Sequence, residues 1–128
     1  MKIVSVIARV LLGLLFVVFG LNGFLNFIPM GPMPAGLAGQ FTAALFESHY
    51  MAVVFMIELA AGVLLLLNRY VPLALTLLAP VIVNIVLFHT FMAPSGLPLA
   101  AIASILWILT AYRVRSVFTG LFNQRVPV

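Results

Sequence analysis

Residues 51–67 read MAVVFMIELAAGVLLLL, an apolar run that a single acid, Glu58, interrupts near its middle. At ~1.5 Å rise per residue, a helix of this kind is long enough, or nearly so, to cross the ~30 Å hydrocarbon core of a bilayer. A charged side chain in that core costs about 2.5–3.5 kcal/mol on insertion scales, so it normally faces other helices or a wet cavity. The run therefore predicts a membrane span whose Glu58 faces the interior of a bundle.

The composition places the whole chain in the membrane class. Of the 128 residues, 66% are hydrophobic and 6% are charged. We expect one transmembrane domain over residues 1–128, of the all-α class, because a span must satisfy its own backbone groups. The net charge of +4 does not indicate a nucleic-acid partner, since the basic residues flank apolar runs and form no patch. Without cysteine, the chain can do no dithiol chemistry and can hold no iron–sulfur cluster by its own thiolates.

Hydropathy predicts an integral membrane four-helix bundle. The expected spans cover residues 3–28, 50–67, 71–91 and 97–112. Between the first two spans, the proline-rich stretch 29–34 cannot be helical. Residues 37–46 then predict a short helix in the outer interface. We interpret this helix as a lid on the outer end of the bundle, and a gate for a lipophilic ligand is the alternative.

The distribution of Lys and Arg predicts a single orientation. If the spans alternate, five basic residues fall on one side, and the connections on the other side carry none; the five are Lys2, Arg69, Arg113, Arg115 and Arg125. The positive-inside rule then places both termini in the cytoplasm. A cleaved signal peptide is the alternative for the N-terminus. We reject it because Arg9 interrupts the stretch and the apolar length exceeds that of a signal sequence.

Glu58 and Asn84 are the predicted centre of a polar site within the spans. The third span runs outward, and side chains lean toward the N-terminus of their helix, so Asn84 should lean toward the level of Glu58. Pro80, one turn below, should kink that helix and free a carbonyl. The alternative is a polar clamp worth about 1 kcal/mol that only holds helices together. Arg9 either reaches this site through water or a tilted helix, or snorkels to the inner head groups.

Further polar residues are expected to form an outer vestibule. His89 ends the third span and His49 opens the second, while Asn22 reaches the same layer from the first. Two histidines on different spans could ligate a haem, but a haem needs a roomier bundle and matched depths, so we do not favour it. No third ligand has the spacing of a metal motif, so no metal site is predicted. For His49 we expect an interfacial role, and for His89 a role in lining the site.

Taken with their positions, these residues resemble the DoxX-like family of small four-helix bacterial membrane proteins. The resemblance covers nearly the whole chain and rests on segments that include RVLLGL at residues 9–14, IEL at 57–59, RYVP at 69–72 and PVIVN at 80–84 followed by Phe88-His89. It implies a multi-pass protein of the bacterial inner membrane. One member of the family is a subunit of an archaeal thiosulfate:quinone oxidoreductase, and others are described as membrane partners of redox or detoxifying enzymes. The resemblance therefore implies a link to membrane redox metabolism.

We accordingly expect a site that accepts the head group of a lipophilic molecule, with a quinone or related isoprenoid as the favoured ligand. Glu58 and His89 would bind its oxygens or relay protons to them. The first alternative is a non-catalytic structural subunit or assembly partner, for instance of a membrane redox enzyme. A weaker alternative is a small transporter, which would need to form a homo-oligomer to make a path. Catalysis, ligand identity and oligomeric state stay open at this point.

Overall fold

The computed structural model describes residues 1–128 and is all-α, as predicted. Its α-helices are α1 (Lys2–Leu25), α2 (Gly36–Glu47), α3 (Tyr50–Leu66), α4 (Val71–Phe91) and α5 (Leu97–Arg113), with 3₁₀ helices at Pro94–Gly96 and Arg115–Phe122. The helix bounds agree with the predicted spans and interfacial helix to within three residues. The largest difference is at the end of α1. It stops at Leu25 because Asn26 adopts the left-handed conformation, with φ 51°.

The chain is a multi-pass membrane protein. Three helical segments, α1, α4 and residues 94–113, are long and apolar enough to cross a membrane. The fourth candidate span is the pair formed by α2 and α3, whose axes bend by 82° at a short break. His49 lies at this break and has a left-handed backbone, with φ 61°. The bend separates the short α2 from the long α3.

The four long helices pack in a ring in the order α1, α3, α4, α5, with α5 also against α1. The α1–α3 contact is the most extensive of these, and α2 rests on α3. Across the α4–α5 contact, Trp107 Nε1 donates a hydrogen bond to the Leu75 carbonyl at 2.9 Å. One end of the ring brings together Lys2, the α3–α4 turn and Arg113. We call this the basic end, and the opposite end the far end.

The packed core fills the half of the bundle nearest the basic end. Its buried members come from α1, α3 and α4, namely Leu12, Phe16, Ala61, Leu65, Val71, Ala74, Leu75, Leu78 and Ile82. On α4, no residue beyond Ile82 is fully buried, and on α3 none before Glu58 is. Buried residues of the far half come instead from α1, α2 and α5, and they include Gly20, Asn22, Ala38, Gly39 and Ala100.

Glycines bring α1 and α3 into close contact, because small residues let two helix backbones approach each other. A Cβ atom on Gly13 would lie 3.0 Å from the Gly62 carbonyl oxygen. A Cβ on Gly20 would lie 3.0 Å from the backbone nitrogen of Leu59. Because these neighbours are backbone atoms, any larger residue at Gly13 or Gly20 would push the two helices apart. The α1–α3 interface consequently leaves no room for a ligand at these levels.

Candidate functional site

Glu58 lies inside the bundle, as the sequence predicted. Its side chain is 5% exposed. The Oε2 atom is fully enclosed and has no hydrogen-bond partner. Leaving a buried polar group unpaired costs about 1–3 kcal/mol, and more if the group is charged. The folded chain therefore leaves a hydrogen-bonding capacity of the Glu58 carboxyl unused.

The surroundings of Glu58 restrict how a molecule could reach it. The adjacent Leu59 packs its backbone against Gly20, and one turn toward the basic end Gly62 lies against Gly13. Both contacts close the side that faces α1. Toward the basic end, the packed core closes the route as well, since Ala61 and Leu65 are fully buried. A ligand would therefore have to approach Glu58 from the far half of the bundle, which these contacts do not close.

The predicted contact between Asn84 and Glu58 is not made, which corrects the sequence analysis. Asn84 is exposed, and its Nδ2 donates to the Pro80 carbonyl on its own helix at 2.8 Å. The depth of Asn84 along the helix does not determine the direction in which its side chain points around the helix axis. At ~100° per residue, Asn84 is turned by roughly 200° from the buried Ile82. The sequence carried no signal for this rotation, because α4 has apolar residues on every face.

His89 lies on the interior face of α4, two turns beyond Ile82. The imidazole is half-buried, and its Nδ1 donates to the Ala93 carbonyl at 3.0 Å. Its ring also meets Phe88 edge to face, with centroids 5.1 Å apart. These contacts hold the ring in place and leave Nε2 as the nitrogen that is free to accept a hydrogen bond. His49, in contrast, is exposed at the α2–α3 bend.

Arg9 forms no ion pair with Glu58. Its guanidinium Nη1 donates to the carbonyl of Leu65, near the end of α3. Leu65 follows Glu58 by seven residues, which places the two levels roughly 10 Å apart along the helix. Arg9 therefore acts at the basic end, where it also lines a cavity together with Lys2 and Arg113. Of the basic residues around this cavity, Lys2 and Arg113 were predicted from the sequence only to set the membrane orientation, although their lack of a nearby acid was visible.

Asn22 is buried, but its amide is fully occupied by the chain that follows α1. Its Oδ1 accepts from the Ile28 backbone N–H at 2.7 Å, and its Nδ2 donates to the Ile28 carbonyl at 3.3 Å. Both bonds satisfy backbone groups just beyond the end of the helix. We therefore assign Asn22 to the closure of the α1–α2 connection.

Replacing Asn22 with alanine should lower the free energy of unfolding by about 1–3 kcal/mol, since two backbone groups of Ile28 lose their partners. Thermal unfolding of the purified protein in detergent measures this effect. Asn84→Ala is the matched control, because that amide is exposed and bonds only to its own helix; we expect almost no change. Equal losses in the two variants would contradict the capping role of Asn22.

Comparison with known proteins places most of the chain in one family. The DoxX family model matches residues 4–91. This range takes in α1 to α4 and includes all the segments on which the resemblance was based, whereas α5 lies outside it. No curated protein and no solved structure shows significant similarity to the chain.

Proposed function

This chain belongs to the DoxX family of membrane proteins, and we propose that it binds the polar head group of a lipophilic small molecule at Glu58. A quinone or related isoprenoid is the favoured ligand. His89, on the interior face of α4, lies roughly 15 Å nearer the far end than Glu58 by helical rise, so it would contact a different part of the ligand from Glu58. Asn84 is left out of the proposed site, because its amide faces away from the interior.

The observation that carries the proposal is the unpaired Glu58 Oε2. A carboxylate oxygen accepts a hydrogen bond from a hydroxyl, and a protonated carboxyl donates one to a carbonyl. A quinol offers the hydroxyl and a quinone offers the carbonyl, so Glu58 could hold either form. Binding would supply the partner that Oε2 lacks, so the free-energy cost of burying the carboxyl would be lower when the ligand is present.

The far half of the bundle is the proposed binding region. The ligand's head group would approach Glu58 from this half and away from α1, because the α1 side is closed by Gly20 and Gly62. Its apolar tail would remain among the hydrophobic side chains that border the lipid. The free Nε2 of His89 would accept a hydrogen bond or a proton from the ligand, as a general base does.

Among the polar side chains of the helices, Arg9 and Trp107 are the ones that hydrogen-bond to a neighbouring helix, so the structural alternative rests on those two. Four others, Thr76, Asn84, Ser104 and Thr110, each donate to a carbonyl four residues earlier in their own helix. They therefore do not clamp neighbouring helices together. Glu58 makes no hydrogen bond across helices through Oε2 either. A purely structural function gives no reason for placing an acid at this position.

Glu58→Gln tests the proposal, since it keeps the shape of the side chain and removes its acidity. We expect the purified variant to retain no more than about one-tenth of the lipophilic ligand that the unaltered protein retains. The reason is that hydrogen bonds to charged groups contribute about 1.5–3 kcal/mol. Mass spectrometry of small molecules extracted from equal amounts of protein, with quinones as the targeted class, measures the retained ligand.

Glu47→Gln is the control for that experiment. Glu47 is exposed at the end of α2, so the same chemical change there should leave ligand retention unaltered. Circular dichroism of each variant checks that helix content is preserved. Equal ligand content in the Glu58→Gln variant and the unaltered protein would reject the binding site and favour the structural subunit.

A further inference from the structure

A second polar feature lies at the basic end, on the side of the core opposite the far half of the bundle. A partly enclosed cavity of about 210 Å³ opens there between α1, α5 and the α3–α4 turn. It is several times larger than the ~30 Å³ that one water molecule occupies in the liquid. Its polar lining consists of Lys2, Ser5, Arg9, Asn68, Thr110 and Arg113.

Three of these side chains are cationic, and no acidic side chain lines the cavity to balance them. The protein has only two acids. Glu47 is exposed at the end of α2, which precedes the far end of α3. Glu58 lies on the side of the packed core that is nearer the far end. Neither acid lines the cavity. Lys2, Arg9 and Arg113 therefore surround a space in which their charges are uncompensated, and an anion would lower their mutual repulsion.

Two helix N-termini border the same cavity. α1 begins at Lys2 and α4 at Val71, and both residues are part of the lining. Neither terminus has a side-chain cap, and neither helix has an acid in its first turn. The N-terminal end of a helix carries a partial positive charge from its unpaired N–H groups. The backbone thus adds to the positive field of the three side chains.

The available donors suit an oxyanion. Arg9 uses Nη1 for the Leu65 carbonyl, and a guanidinium has further N–H groups for a second partner. Ser5 and Thr110 are buried, and their hydroxyls donate to the carbonyls of Met1 and Leu106. Recognition of the anion therefore falls to the arginine and lysine groups. Guanidinium pairs with phosphate in a bidentate manner, whereas ammonium acts as a point charge.

We propose that this cavity binds a phosphate group, and that an anionic phospholipid supplies it. The cavity lies at the ends of the apolar helices, which is the level of lipid head groups, and basic pockets between spans are suited to such head groups. The proposal involves none of the residues of the Glu58 site. Either proposal can therefore fail without affecting the other.

The test is a binding titration of the full-length protein in non-ionic detergent with short-chain phosphatidylglycerol. We expect the double variant Lys2→Gln/Arg113→Gln to bind roughly thirtyfold more weakly than the unaltered protein, from the contribution of each basic residue near a membrane surface. Arg113→Lys keeps the charge and removes the planar fork, so it should weaken binding by a smaller factor. Helix content by circular dichroism shows that each variant is folded.

The matched control is Arg69→Gln/Arg125→Gln, which removes the same charge from residues that do not line the cavity. It should bind almost as well as the unaltered protein. Equal weakening of the two double variants would overturn the proposal, because diffuse attraction would then explain binding. Short-chain phosphatidylcholine should bind more weakly, and equal binding would also overturn the proposal. If inorganic phosphate bound as tightly as phosphatidylglycerol, the lipid would be excluded as the source of the phosphate group.

Discussion

The substitution Gly62→Val is expected to lower the free energy of unfolding by on the order of 3 kcal/mol. This is the largest effect on stability of any substitution considered. A Cβ atom on Gly62 would lie 2.9 Å from both the Gly13 carbonyl oxygen and the Val17 backbone nitrogen. These are backbone atoms of α1, so the overlap can be relieved only by moving a whole helix. In a membrane, helices associate largely through close packing of this kind.

Denaturant titration of the purified protein in mixed micelles measures the change in unfolding free energy. Gly62→Ala should show a smaller loss than Gly62→Val, because the overlap begins at Cβ and grows with the side chain. Gly120→Ala is the control, since a Cβ there would meet nothing within 4 Å. If Gly62→Val unfolded at the same denaturant concentration as the Gly120 variant, the close α1–α3 contact would be refuted.

Replacement of Glu58 with leucine is expected to act in the opposite direction. The variant should be more stable than the unaltered protein by about 1–3 kcal/mol once bound lipids have been removed, because it eliminates an enclosed polar atom that has no partner. Leucine fills a similar volume with apolar groups. The same variant should lose the retained ligand, which would make Glu58 a residue kept for binding at the expense of stability.

Both effects can be measured on one preparation. Extraction first gives the amount of retained ligand, and thermal unfolding of the delipidated protein then gives its stability. Glu47→Gln should change neither quantity, since that acid is exposed. A less stable Glu58→Leu variant would mean that the carboxyl has a stabilising partner in the folded protein, and the unpaired state of Oε2 would then be refuted.

The sequence by itself determined the membrane class, the helical fold and the spans. Apolar length is a direct measure of whether a segment can cross a bilayer, and only a helix satisfies its backbone groups there. The interior position of Glu58 followed from the same physics, because a carboxyl at the middle of a span is costly in lipid. The end of α1 was missed by three residues, since it depends on the side-chain bonds of Asn22.

Only the tertiary structure decided which way the other polar side chains face. Asn84 was predicted at a suitable depth, yet it is turned to the outside of α4. For Arg9, the sequence left two alternatives open, the Glu58 site and the inner head groups. In the structure its guanidinium bonds to the Leu65 carbonyl. The cavity beside Arg113 requires residues from three separate parts of the chain to meet. In a soluble helix, a polar face distinguishes outside from inside, but a span is apolar all round, so hydropathy gives its length and not its rotation.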